Sequence, residues 1–177
     1  RLVVVVLPWV PATASTWRPG FNSRLMSYSV MLRQSLPATR VFLMYGLTEA
    51  FRSTYLPPEE VDRRPTSMGK AIPNVEVLVL RPDGSPCNPG EVGQLVHRGP
   101  LVALGYWNNP QATAERFGLW SPSGRPDLGE RVVFSGDLVR QDAEGYLYFV
   151  ARGDGSSQFS ATLEEHNAAV RRYILRR

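Results

Sequence analysis

Fifteen glycines and fifteen prolines punctuate this 177-residue chain, and that density constrains the fold more than any other feature. Glycine supplies positive backbone angles, and proline fixes φ while removing a donor, so both belong in turns rather than in long helices. A turn-rich, mostly β architecture is therefore predicted over a helical bundle.

Between the punctuation marks the chain reads in order. Leu2 to Leu7 is a β-branched run broken by Pro8 and predicts a buried strand. Its flanks, Arg1 before it and Ala12-Thr13-Ala14 after it, also outline a short secretory leader, the less favoured reading. Ser23 to Leu36 is weakly amphipathic. Arg40 to Met44 predicts a strand ending at Tyr45-Gly46. Val75 to Leu80 predicts another, closed by Arg81-Pro82-Asp83-Gly84, with Gln94 to His97 as its hairpin partner after a Pro89-Gly90 turn. Pro110 opens a short helix over Gln111 to Phe117. Val132 to Phe134, Leu138 to Arg140 and Tyr146 to Val150 complete the strands. Thr162 and Glu165 match a capping box at the start of a terminal helix.

The remaining composition narrows the function classes. A single cysteine, Cys87, cannot form an internal disulfide, which favours a reducing, cytoplasmic setting. No apolar run is long enough to span a membrane. Nineteen of the 20 basic residues are arginine, the exception being Lys70. They are scattered apart from Arg171, Arg172, Arg176 and Arg177, so nucleic acid is not an expected partner. Two histidines and one cysteine give no dedicated zinc site.

Three separated segments carry the chemistry: Met44-Tyr45-Gly46-Leu47-Thr48-Glu49, Phe134-Ser135-Gly136-Asp137-Leu138, and Tyr146 through Asp154 (YLYFVARGD). Between the first two lie Gly69-Lys70-Ala71-Ile72-Pro73, Gly90 to Leu95 (GEVGQL) and Gly105 to Pro110 (GYWNNP). Each is weak alone, but the collinear series resembles the adenylate-forming superfamily, from about Leu32 to Asp154. Tyr45 to Pro58 (YGLTEAFRSTYLPP) looks most like the AMP-forming acyl-CoA ligases associated with exosortase A systems.

The resemblance implies an α+β, β-rich, barrel-like end of a large adenylating domain with a few peripheral helices. It divides the chain into a flank (1–31), an AMP-binding segment (32–154) and a short helical tail (155–177). It implies ATP and AMP, Mg²⁺ and coenzyme A as cofactors, a carboxylic acid as substrate, and an acyl carrier protein as an alternative acceptor. The residue types suit these roles. Tyr45 offers an aromatic face to adenine, with Gly46 permitting close approach beside it. Thr48 offers a hydroxyl to the α-phosphate, and Glu49 is a hard oxygen ligand for Mg²⁺; these two are the expected catalytic residues. Asp137 can accept from both ribose hydroxyls, and Arg152 adds a fork of donors beside the sugar and phosphate. Asp154 matches the family's hinge. His97, Tyr106 and Trp107 read as structural.

Two family elements have no counterpart in these residues: the Ser/Thr/Gly-rich phosphate loop and the lysine brought by the small domain. Both flanks also depart from the family pattern. The chain therefore reads as an internal piece of a ligase with out-of-frame flanks, inactive alone. The alternatives are a non-catalytic module with a vestigial nucleotide pocket, or part of an adenylation domain that loads a carrier protein.

Overall fold

The computed structural model describes residues 2–7 and 32–150. The expected terminal helix, Arg152 and Asp154 lie outside the described residues.

Among the described residues nine strands form one open sheet in the order β1-β2-β3-β4-β9-β8-β6-β5, with β7 pairing beside β8. The sheet does not close, which corrects the barrel-like expectation while leaving the β-rich α+β class intact. β1 (Leu2–Leu7) runs parallel to β2 (Arg40–Leu47), and every other pairing is antiparallel. The strand predicted at Arg40 to Met44 thus runs on through Tyr45-Gly46 and turns at Thr48-Glu49 into β3 (Ala50–Leu56).

The predicted hairpin is present. β5 (Glu76–Leu80) pairs with β6 (Val92–Arg98), with Leu78 opposite Val96 and Leu80 opposite Gln94. Its connection uses glycine where positive φ is required: Gly84 at 83° and Gly90 at 83°. The short helix also forms, as α1 (Pro110–Arg116), with the Asn109 side chain accepting from the Ala112 N–H. Phe117, expected to end it, instead begins β7 (Phe117–Trp120), where its ring is buried.

β4 (Ser67–Ala71) and β9 (Leu147–Phe149) pair to join the two parts of the sheet. The two short strands expected at Val132 and Leu138 are one, β8 (Glu130–Gln141), carrying a bulge. Gln94 faces Leu138 and Val96 faces Phe134, so Ser135-Gly136-Asp137 stand opposite Leu95 alone, with Gly136 at φ 81°. A bulge of this kind bends the strand and re-aims its side chains.

One face of the sheet buries Tyr45, Leu47, Met68, Leu95, Val133 and Leu147 in the principal core. Burying such side chains removes about 1.5–3 kcal/mol of unfavourable hydration each. A second cluster of Val41, Leu43, Leu56, Val61 and Tyr146 anchors the β2 end, and a third of Leu80, Val96 and Val132 lies behind β6. Among the described residues no helix is long and apolar enough to cross a membrane.

Candidate nucleotide site

Tyr45 and Asp137, 92 residues apart in sequence, meet in the core. The Tyr45 hydroxyl donates to Asp137 Oδ2 at 2.6 Å, and the two residues are only 3% and 2% exposed. The bulge in β8 makes this possible. Ser135 Oγ donates to the Leu95 carbonyl at 2.8 Å and accepts from the Asp137 N–H at 3.0 Å, so the serine fills the gap and turns the aspartate inward. Arg116, delivered by the last turn of α1, donates to the Ser135 carbonyl at 3.0 Å and places a positive charge near Asp137.

Burial dominates the electrostatics here. It pushes the Asp137 carboxyl up to about 6, against the opposing effects of the Tyr45 hydrogen bond and Arg116. It also holds the Tyr45 hydroxyl well above its ordinary value, with the Asp137 charge adding to the effect.

The Tyr45 ring stacks on His97 at a centroid separation of 5.9 Å and meets Phe149 edge-on at 5.5 Å. His97 lies on β6, fully buried, and neither of its ring nitrogens has a partner. Burial pushes its pKa down to about 3, so the imidazole is neutral. Gly46 does permit a close approach, but the approaching group is the backbone of β3. A Cβ at position 46 would lie 2.2 Å from the Arg52 nitrogen, and Arg52 itself adopts φ 54°.

Thr48 is exposed at the β2–β3 turn, while Glu49 beside it is 5% exposed. Glu49 Oε1 accepts a short hydrogen bond from the Tyr106 hydroxyl, and Oε2 is buried without a partner. An orphaned carboxylate oxygen is a hard donor of the kind a divalent cation takes. Among the described residues no three of His, Cys, Asp and Glu group into a metal site, so phosphate oxygens and water would supply the rest of such an ion's shell. The Glu49 charge is felt at Tyr45 and Tyr106, and that of Arg116 at Tyr106 and Asp137, so the five residues form one cluster.

The sequence assigns Tyr45, Glu49 and Asp137 to one nucleotide pocket, and the structure brings these three together; Arg116 is not singled out there, and Tyr106 reads as packing only, without its contact to Glu49. The GYWNNP segment was visible, yet nothing in its spacing said that the tyrosine hydroxyl reaches Glu49. Trp107, read as packing, is 99% exposed. Lys70 is exposed, its amine 4.3 Å from the centre of the Tyr146 ring.

The AMP-binding enzyme family model matches residues 25–107. Nonribosomal peptide synthetase 2 of Gibberella zeae is 38% identical over 120 residues, covering 67% of this chain and 2% of that protein. The 2-succinylbenzoate–CoA ligase of Geobacillus kaustophilus is 36% identical over 114 residues, covering 63% of this chain and 21% of the ligase. The crystal structure of IdnL1 superposes with a TM-score of 0.64 at 30% identity, covering 86% of this chain and 29% of that one. The chain therefore spans about a fifth or less of the curated relatives cited. The family model and these relatives together support the adenylate-forming, AMP-binding superfamily for this chain.

Proposed function

We propose that this chain is a segment of an AMP-forming acyl-CoA ligase, of the kind associated with exosortase A systems, and that it carries the adenine, ribose and magnesium contacts of residues 32–154. The complete reaction joins a carboxylate to ATP with release of pyrophosphate, then passes the acyl group from AMP to coenzyme A. The observation that carries the reading is the buried contact between Tyr45 and Asp137, two positions from separate motifs of the resemblance that lie in one cluster.

In this arrangement the Tyr45 hydroxyl occupies one acceptor oxygen of Asp137. A ribose hydroxyl would exchange with it, one donor for another, at little net cost in hydrogen bonding. The base would reach the Tyr45 face only as His97 or Phe149 moves aside. Thr48 is free at the surface to meet the α-phosphate. Glu49 would hold Mg²⁺ through Oε2, and the ion when bound would neutralise phosphate charge. Arg152 and Asp154 keep their proposed roles as sugar contact and hinge. The only lysine in the 177 residues, Lys70, is engaged at the Tyr146 ring, so no lysine of this segment attends the cluster. Alone, the segment is expected to bind nucleotide without net ligase activity.

The similarity to a peptide synthetase favours one second reading, an adenylation domain whose acyl acceptor is a carrier protein rather than coenzyme A. Both readings require adenine recognition. Equilibrium titrations with AMP, GMP and CMP test it. Preference for AMP is expected; equal binding of all three, or of none, contradicts the nucleotide reading and leaves a non-catalytic module.

A further inference from the structure

Glu49 is gripped from one side by a single segment, residues 99–109. The Ala103 N–H donates to the Glu49 carbonyl at 2.8 Å, and Val102 forms an isolated bridge with Ala50. Three residues on, the Tyr106 hydroxyl donates to Glu49 Oε1. The far end of the segment is fixed to α1: the Tyr106 N–H donates to Thr113 Oγ1 at 2.9 Å, and that hydroxyl donates to the Asn109 carbonyl at 2.8 Å. Gly105 has φ 144°, and a Cβ there would come within 2.5 Å of Thr113 Cγ2, so only glycine allows this closeness. The Tyr106 ring meets Phe117 edge-on at 5.6 Å.

Packing on Phe117 asks only for an aromatic ring, and phenylalanine would serve it. The hydroxyl has a different use. By holding Oε1 it fixes the plane of the carboxylate, and the other oxygen, Oε2, is left buried with no partner in the protein. A carboxylate oxygen so placed carries an uncompensated desolvation cost that a cation would remove.

We propose that Tyr106 is the positioning residue for Glu49, orienting its carboxylate so that Oε2 meets a divalent cation bound to the nucleotide's α-phosphate. The inference rests on the nucleotide reading above and adds to it a residue outside the site expected from sequence.

The test compares AMP dissociation constants in EDTA and in saturating Mg²⁺, by calorimetry on the full chain, for wild type, Tyr106→Phe, Glu49→Gln and the double variant. The readout is the ratio of the metal-free to the metal-bound constant, because damage to the fold moves both constants and leaves the ratio. In Tyr106→Phe the ratio falls about tenfold, the scale of one hydrogen bond to a charged group. Glu49→Gln abolishes the metal gain, and adding Tyr106→Phe to it changes nothing further. A wild-type ratio in Tyr106→Phe, or a further fall in the double variant, overturns the proposal while the nucleotide reading stands. Failure of wild type to bind AMP under either condition overturns both. If Tyr106→Phe does not fold, Thr113→Val loosens the same segment with the tyrosine hydroxyl retained. An intermediate ratio supports the proposal and an unchanged one overturns it.

Discussion

Replacing Asp137 by asparagine should stabilise the protein at neutral pH while removing a nucleotide contact. The carboxyl is nearly inaccessible, and burial raises it from 3.8 to about 6. At pH 7 the native state therefore holds an ionised group that its surroundings disfavour. At 1.36 kcal/mol per pH unit the rise corresponds to about 3 kcal/mol. The sign follows from proton uptake. Between 3.8 and about 6 the native state binds more protons than the unfolded chain, so this group's contribution to stability falls as pH rises through that window. Above the window the loss is complete, and below it the loss is absent. An amide does not titrate, and its carbonyl still accepts from the Tyr45 hydroxyl. Its NH₂ adds a buried donor that costs about 1 kcal/mol, leaving a net gain of about 2 kcal/mol at pH 7. That gain raises the melting temperature by about 4–8 °C for a chain of this size. Urea unfolding followed by tryptophan fluorescence from pH 4 to 8 measures it, and the difference between variant and wild type cancels every other titrating group. The difference should grow through pH 4–6 and then level. A variant less stable than wild type at pH 7, or a difference independent of pH, would refute the reasoning.

His97 gives the opposite slope from the same core. It is held neutral down to about pH 3, while the unfolded chain protonates it near 6.5, so stability is lost as pH falls below 6.5. His97→Leu should therefore gain about 2 kcal/mol more at pH 5 than at pH 8 in the same unfolding assay; an equal gain at both would contradict it. Gly69→Ala should destabilise by more than about 2 kcal/mol in thermal melts, because Gly69 has φ 89° and a Cβ there would fall 1.8 Å from the Tyr55 carbonyl oxygen. A melting temperature within about 2 °C of wild type would count against that geometry. The Cys87 thiol, half-buried and pushed up to about 11 by burial, should react with iodoacetamide at pH 8 many-fold more slowly than a free thiol, which mass spectrometry can time.

The parts of the fold legible in the sequence were those written in local chemistry. The β5–β6 hairpin followed from alternation and the Asp83-Gly84 and Pro89-Gly90 turns, and α1 from Asn109-Pro110. Three strands were not read. Ala50–Leu56 contains the positive-φ residue Arg52, Ser67–Ala71 contains Gly69, and Phe117–Trp120 continues directly from a helix, so none shows a clean period of two. Each is held by its neighbours in the sheet rather than by its own pattern. The bulge at Ser135–Asp137 read as a turn between two strands because glycine at positive φ serves both. In the candidate site, Tyr45, Glu49 and Asp137 are proposed through motif resemblance, and the fold brings them together. Arg116 and Tyr106 are not proposed there, because their partners lie 19 and 57 residues away and only the folded sheet brings them together.

The stabilising effect expected of Asp137→Asn makes sense if the ionised aspartate is kept for binding rather than for folding. The most direct test is therefore equilibrium binding of AMP with Mg²⁺ to the purified chain and to Asp137→Ala. Measurable binding that the substitution abolishes, with the variant still folded, is the predicted result. Equal affinity in the two proteins would contradict the assignment of Asp137 to the ribose and, with it, the nucleotide site itself.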